Sequence, residues 1–236
     1  MLIYLFILGL VVGSFLNSVI YRLEEGQSFL PGRSFCPHCK HKLSWQDLIP
    51  VFSFLILKGK CRYCREKISL QYPLVELAAG LIFLLIVLFN TQYSIFYILI
   101  SCFLIIIFVY DLKHYIIPDK VIYPAIAIAG IYDLLKSDFH WKSDFLISAF
   151  GAAAFFFLMV LISHGKWMGV GDIKLAFLMG LFLGWPNIIT ALFLAVLLGA
   201  IMGIGLIISR RKTLKSEVPF GPFLVTGTFL ALFWGE

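Results

Sequence analysis

Charged residues are scarce in this chain. Asp, Glu, Lys and Arg make up 14% of its 236 residues, whereas about 25% is typical of soluble domains. Hydrophobic residues account for 61%, and several apolar runs reach the roughly 20 residues that a helix needs to cross a bilayer. This balance excludes a soluble globular protein and predicts an all-α polytopic membrane protein.

Other signals are missing as well. The first apolar run, residues 1–21, lacks the basic n-region and the cleavage site of a secretory signal peptide, so we expect a retained transmembrane helix. No internal repeat is visible, which argues against an inverted-repeat transporter. The basic residues occur between apolar runs, so the net charge of +6 indicates membrane orientation, not nucleic-acid binding.

About eight apolar segments follow one another along the chain. A long polar region, 22–70, separates the first of them, 1–21, from seven others within residues 71–236. We expect these seven near residues 72–89, 95–110, 121–135, 145–163, 173–185, 188–208 and 220–234. The sequence therefore predicts three parts: a first transmembrane helix, a polar loop and a seven-helix membrane domain.

Lysine and arginine are unevenly distributed among the connecting loops. Nine of the nineteen lie in residues 22–70, and the positive-inside rule makes that loop cytoplasmic. Seventeen of the nineteen then lie inside, and only Lys136 and Lys142 lie outside. The inner side also receives the cluster Arg210, Arg211, Lys212 and Lys215, and the outer side the link 90–92. This orientation places Asp111 and Asp172 at the same, cytoplasmic, edge of the membrane.

The polar loop contains two Cys-x-x-Cys pairs separated by 21 residues, which consist of Cys36, Cys39, Cys61 and Cys64. Two such pairs can surround one tetrahedral cation, and their spacing is near that of zinc ribbons. A structural zinc suits a 49-residue loop, which buries little surface by itself. Two disulfides are the alternative, which a reducing cytoplasm disfavours. The nearby His38 and His41 are surplus to four thiolate ligands.

Two aspartates lie at the ends of apolar segments. Asp111 ends the third segment, where a carboxylate faces the negative end of the helix dipole, so a functional role is expected. Asp172 follows Gly169-Val170-Gly171 and precedes Ile173-Lys174. Its structural alternative is the N-cap of the sixth segment, as Asp119 is expected to cap the fourth. We expect both glycines to provide unusual torsions or close approaches.

Two carboxylates that meet can share one proton, because like charges a few ångströms apart cannot both ionise. The ionised partner can then take a proton from water while the other polarises a peptide carbonyl, as in aspartic proteases. A proton-coupled transporter that uses the aspartates as a relay is a second hypothesis, although both lie at the membrane edge. A zinc-anchored scaffold without catalysis is a third.

The chain resembles the bacterial type IV prepilin peptidases, membrane aspartic proteases with a Gly-x-Gly-Asp motif. The matching motifs cover nearly the whole sequence, and together they are highly specific. They include Gly13-Ser14-Phe15-Leu16-Asn17, Pro31-Gly32-Arg33, the two cysteine pairs, Tyr72-Pro73-Leu74-Val75-Glu76, Asp111, Pro118-Asp119 and Gly169-Val170-Gly171-Asp172-Ile173-Lys174.

The resemblance implies that Asp111 and Asp172 are the catalytic pair, supported by Gly169, Gly171 and Lys174. It implies cleavage of the basic leader of prepilins or pseudopilins at the cytoplasmic face of the bacterial inner membrane. Many relatives also N-methylate the new N-terminus with S-adenosylmethionine, and the long cysteine-bearing loop favours this bifunctional form over a peptidase alone. The loop has no glycine-rich nucleotide fingerprint, so the donor-binding residues are unknown. Glu76 either pairs with a basic residue of the loop or contributes to methyl transfer.

Overall fold

The computed structural model describes residues 2–27, 34–89, 93–135, 139–165, 168–209 and 218–234, with the side chains of 139–143 left out. Within these ranges the chain is helical and has no β-strand, only two isolated bridges. Several expected features lie outside the described residues: the motif residues 31–33, the link 90–92, Lys136, Lys166 and the basic cluster at 210–215.

Helices make up most of the described chain. In order they are α1 (Leu2–Glu24), a 3-10 turn (Trp45–Leu48), α2 (Phe52–Ile56), α3 (Gln71–Phe89), α4 (Ser94–His114), α5 (Asp119–Leu135), α6 (Phe139–Ser163), α7 (Val170–Leu183), α8 (Asn187–Ile208) and α9 (Gly221–Trp234). Helices α1, α3, α4, α6 and α8 are long and apolar enough to cross a membrane, and α9 is a shorter apolar helix. The chain is therefore an all-α polytopic membrane protein, as predicted.

The chain divides into two compact units, residues 1–106 and 107–236. In the first unit, α1 packs along α3 through small residues that bring the two backbones together. A Cβ added to Gly9 would lie 2.7 Å from the carbonyl oxygen of Ala79, and one added to Gly13 would lie 2.7 Å from the Cα of Glu76. These glycines therefore fix how closely the two helices approach.

Helix α7 is the buried centre of the second unit. Nine of its fourteen residues are buried, and it packs against α5, α6, α8 and α9. Fourteen residues span about 21 Å, which is less than the roughly 30 Å thickness of a hydrocarbon core, so the ends of α7 need protein around them. Helix α8 instead exposes Phe193, Val196 and Ile201, as a lipid-facing helix does.

Candidate active site and metal centre

Asp111 lies in the last turn of α4 and is only 4% exposed. Its carboxylate accepts a hydrogen bond from the backbone N–H of Gly221, the first residue of α9. The two residues are so close that a Cβ added to Gly221 would lie 2.5 Å from Asp111 Oδ2. Sequence reasoning missed Gly221. The available signal was Pro222, because a proline in the first turn of a helix often marks a helix start.

Asp172 is the third residue of α7 and is 8% exposed. The helix begins at Val170, three residues earlier than expected, so the alternative that Asp172 is the N-cap is wrong. Gly169 is the N-cap, and its backbone N–H donates to Asp172 Oδ2 at 3.2 Å. This contact is the returning half of a capping box, and it places the carboxylate at the positive end of the helix dipole.

The structure brings Asp111 and Asp172 into one site within the second unit. The charges of the two carboxylates interact, although 60 residues separate them in the sequence. Both are buried, and each accepts a backbone N–H at the start of a helix, α9 for Asp111 and α7 for Asp172. Such an arrangement can hold two acidic groups in fixed positions beside a substrate, which is the geometric requirement for general acid–base catalysis.

The two glycines of the motif differ in their surroundings. A Cβ added to Gly171 would lie 3.1 Å from the Cβ of Ile117, so a close approach explains this glycine, as predicted. Gly169 has φ −84° and ψ 156°, an ordinary extended conformation, and a Cβ there would meet nothing closer than 3.9 Å. Neither an unusual torsion nor crowding by the described residues therefore explains Gly169, and the close approach of a substrate backbone there stays a prediction. The two atoms at 3.9 Å from that Cβ are Asp172 Oδ2 and the backbone nitrogen of Gly171.

Lys174 turns away from the two aspartates towards the start of α5. Its Nζ lies 2.6 Å from Asp119 Oδ1 and 4.8 Å from the ring centre of Tyr123. Asp119 is the first residue of α5, and the carbonyl of Pro118 accepts the first helical hydrogen bonds. Asp119 is thus an ion-pair partner and not the N-cap that was expected. The pair joins the beginnings of α5 and α7.

The four cysteines form one cluster in the first unit. Their sulfur atoms all lie within 4.8 Å of one another, and Cys36 Sγ lies 3.9 Å from Cys64 Sγ. Four thiolates at the usual zinc–sulfur distance of about 2.3 Å would be about 3.8 Å apart, so the donor set fits one tetrahedral ion. All four thiols are free of disulfides. The cluster can therefore hold a metal ion, as the spacing predicted.

The two cysteine pairs are built alike. In the first, the N–H of Cys36 donates to the carbonyl of His41, and in the second, the N–H of Cys61 donates to the carbonyl of Glu66. The residue after each second cysteine, Lys40 or Arg65, has a positive φ, 56° or 63°. His41 is not a member of the sulfur cluster, but its ring lies 3.7 Å from that of Tyr63 and joins the two halves.

Asp47, in the 3-10 turn that precedes α2, links this turn to the second cysteine pair by hydrogen bonds. It accepts from the guanidinium of Arg62 at 2.7 Å and from the hydroxyl of Ser44 at 2.8 Å. Burial opposes ionisation of this carboxyl, but the hydrogen bonds from Ser44 and Arg62 outweigh it and hold its pKa below the usual range. The negative charge of Asp47 is thus paired with Arg62 within the loop.

A strained turn follows at Pro50-Val51-Phe52. The N–H of Phe52 donates to the carbonyl of Pro50 at 2.6 Å, and Val51 has φ 61° and ψ −49°. These are the features of a classic γ-turn, which is rare and strained, and a β-branched centre makes it a genuine outlier. Strain of this kind costs about 1–3 kcal/mol and persists only where neighbouring groups enforce it.

Glu76 is the group that holds this turn. Its Oε2 accepts the N–H of Val51 at 2.8 Å, and the carboxylate also accepts the hydroxyl of Ser14. Glu76 lies on the second turn of α3 and is 7% exposed. Both of these hydrogen-bond partners are neutral, so the expected pairing with a basic loop residue is not seen among the described residues.

Comparisons with known proteins agree with this description. The bacterial peptidase A24 N-terminal domain matches residues 7–90, and the type IV leader peptidase family matches residues 98–204. A relative from Bacillus subtilis named prepilin leader peptidase/N-methyltransferase is 36% identical over 100% of this chain and 95% of its own length. Relatives with the same name from Aeromonas hydrophila and Pseudomonas aeruginosa are 32% and 31% identical, each over 98% of this chain and over 90% and 89% of their own lengths.

No solved structure matches the chain. The family can nevertheless be assigned. Several relatives are more than 30% identical over nearly the full length, and the two domain matches follow each other in chain order. The matched segments contain the four cysteines, Asp111 and Asp172. The chain belongs to the type IV leader peptidase family.

Proposed function

We propose that this protein cleaves the basic leader peptide of type IV prepilins and prepilin-like proteins, with Asp111 and Asp172 as the catalytic pair. The observation that carries the proposal is that two buried aspartates, distant in sequence, lie close enough for their charges to interact and are each held by a backbone N–H. The shared name of the relatives, prepilin leader peptidase/N-methyltransferase, supports this substrate class.

The proposed cleavage uses one ionised and one protonated carboxyl. The ionised group removes a proton from a water molecule as its oxygen attacks the scissile carbonyl carbon, and the protonated group donates to the carbonyl oxygen. When the tetrahedral intermediate collapses, the C–N bond breaks and the leaving amine takes up a proton from the carboxyl that received one. One hydroxyl proton of the intermediate returns to the other carboxylate, which restores the starting pair. The N–H groups of Gly169 and Gly221 keep both carboxyls in place, which is the pre-organisation that such a step needs.

We assign a structural zinc ion to Cys36, Cys39, Cys61 and Cys64. Four thiolates complete a tetrahedral shell, so the ion would have no open position for a substrate. Its binding would close a loop that has little hydrophobic core of its own, and metal affinity then contributes directly to folding.

N-methylation of the newly exposed residue is the second proposed activity, with S-adenosylmethionine as the donor of the methyl group. The name of the relatives includes this activity, and the chain retains the cysteine loop. A peptidase without methyltransferase activity is the alternative. Incubation of purified protein with mature pilin and labelled donor distinguishes the two, because only the bifunctional enzyme labels the new N-terminus.

The proposed organisation follows from the distribution of charge. Residues 1–21 are a first transmembrane helix, 22–70 a cytoplasmic zinc-binding loop and 71–236 the membrane peptidase domain. The site faces the cytoplasm of a bacterial inner membrane, where the leader of a prepilin, preceding its hydrophobic helix, can reach it. Cysteine-accessibility labelling tests this orientation with Ser209→Cys and Asn187→Cys, which lie at opposite ends of α8. Each is made in a protein that lacks Cys102 but keeps the four clustered cysteines, and the same protein without the added cysteine gives the background labelling.

Asp111→Asn and Asp172→Asn test the catalytic assignment. Each asparagine keeps an amide oxygen to accept the N–H of Gly221 or Gly169, so the fold should be retained. We expect either substitution to abolish cleavage of a co-expressed prepilin, while wild-type amounts of protein remain in the membrane. Cleavage at the wild-type rate by either variant would rule out the two-aspartate mechanism.

A further inference from the structure

The local contacts of Glu76 do not require its negative charge. Glu76 is more than nine-tenths buried in the first unit. Its carboxylate accepts hydrogen bonds from two neutral donors, the N–H of Val51 and the hydroxyl of Ser14. A glutamine amide oxygen could accept from both groups without placing a charge in a buried position. Because burial of an unpaired charge is costly, its retention here needs a reason beyond the turn.

A second set of polar contacts lies about one helical turn from Glu76, at the start of α3. Asn17, which is 1% exposed, donates from its side-chain amide to the carbonyl of Tyr72 at 3.0 Å, and Gln71 donates to Asn17 Oδ1 at 3.4 Å. These groups come from α1 and the first turns of α3. None of these groups carries a positive charge, and both groups that donate to Glu76 are neutral.

The γ-turn at Val51 forms one side of this site. The turn is strained, and the bond from Val51 to Glu76 fixes the carboxylate against α1 and the loop. Strained backbone that the surroundings enforce is concentrated at functional sites. A buried carboxylate near the end of a membrane helix, with neutral donors already on one side, is suited to receive a cation from outside the protein.

We infer that Glu76, with Ser14 and the Val51 turn, forms a binding site for an ammonium group of a methylation substrate. This inference rests on the methyltransferase activity proposed above. Two sources carry the required group: the α-amino end of the cleaved protein and the aminoacyl end of the methyl donor. Both would form a charge-assisted hydrogen bond with the carboxylate. If the bound group is the α-amino end, its ammonium first gives one proton to water, which frees the lone pair of the amine. That lone pair then forms the C–N bond as the methyl carbon leaves sulfur with the bond electrons remaining on sulfur.

Glu76→Gln separates the charge from the structural contacts, since its amide oxygen still accepts from Val51 and Ser14. We expect purified Glu76→Gln to cleave prepilin within about two-fold of wild type and to retain its metal content and melting temperature. Its kcat/KM for methylation should fall about 10- to 100-fold, as expected for loss of a hydrogen bond to a charged group. A raised KM for mature pilin identifies the α-amino end as the ligand, and a raised KM for the donor identifies the aminoacyl end. Glu25→Gln, which neutralises an exposed carboxylate in the same unit, is the matched control.

Three results would overturn the inference. Methylation by Glu76→Gln at the wild-type rate would show that the charge has no role. Equal losses of cleavage, metal and thermal stability would make Glu76 a purely structural residue. Absence of methylation by the wild-type protein would refute the underlying activity, and the inference with it, while leaving the peptidase assignment intact.

Discussion

Gly221→Ala is the sharpest test of whether catalysis depends on the position of Asp111. The alanine Cβ would lie 2.5 Å from Asp111 Oδ2 and 3.1 Å from its carboxyl carbon. Ordinary van der Waals contact begins near 3.4 Å, so the oxygen must move by about 0.9 Å. The atom that has to move is the end of a side chain, and the backbone of α4 can stay in place.

The expected effect is therefore large on the reaction and small on the fold. A displacement of about 1 Å within a catalytic arrangement costs roughly 100-fold in rate, which corresponds to about 2.7 kcal/mol of transition-state stabilisation. Alanine is a better helix former than glycine, and Gly221 does not have a positive φ. The melting temperature should therefore change little.

The assay is single-turnover cleavage of a purified prepilin in detergent or nanodiscs, with melting temperature and metal content measured on the same preparation. Gly151→Ala is the matched control, because nothing lies within 4 Å of a Cβ at that helical position, and it should cleave normally. If Gly221→Ala also cleaves within two-fold of wild type, the close packing of α9 against Asp111 is irrelevant to catalysis and the reasoning fails.

Three further predictions concern the metal, the packing of α7 and the lysine of the motif. Cys36→Ser should lower bound zinc from about one ion per chain to well below half, as measured by mass spectrometry of the purified protein. Gly180→Ala should reduce thermal stability by about 1–3 kcal/mol, because its Cβ would contact the backbone of Ala149; an unchanged melting temperature would contradict this. Lys174→Met should slow cleavage less than five-fold, because a partly exposed pair such as Lys174–Asp119 contributes at most about 1 kcal/mol, and a 100-fold loss would indicate a direct catalytic role.

The parts of this structure that the sequence predicted are those with a strong local signal. Long apolar runs predicted the membrane helices, and the spacing of the two cysteine pairs predicted a common cluster. The start of α7 was misplaced because an aspartate before an apolar run fits both an N-cap and the third helical position. Only the backbone shows that Gly169 is the cap and that Asp172 reaches back to it.

Other features depend on contacts between distant segments and leave no local pattern. The pairing of Gly221 with Asp111 joins residues 110 positions apart. The γ-turn at Val51 contradicts the local preference of valine, and it persists because Glu76, 25 residues away, accepts its N–H. In such places tertiary structure overrides local propensity, so sequence patterns favour a different conformation from the one adopted.

Three helix ends explain how this fold can tolerate two acidic groups at one buried site. Asp111 lies at the carboxyl end of α4, which disfavours negative charge, but it accepts an N–H from the amino end of α9, and Asp172 lies within the amino end of α7. The amino ends of helices stabilise anions through free N–H groups and the helix dipole. Lys174 pairs with Asp119 instead. In the mechanism proposed above, the negative charge of the two aspartates therefore remains available to the basic leader of a substrate.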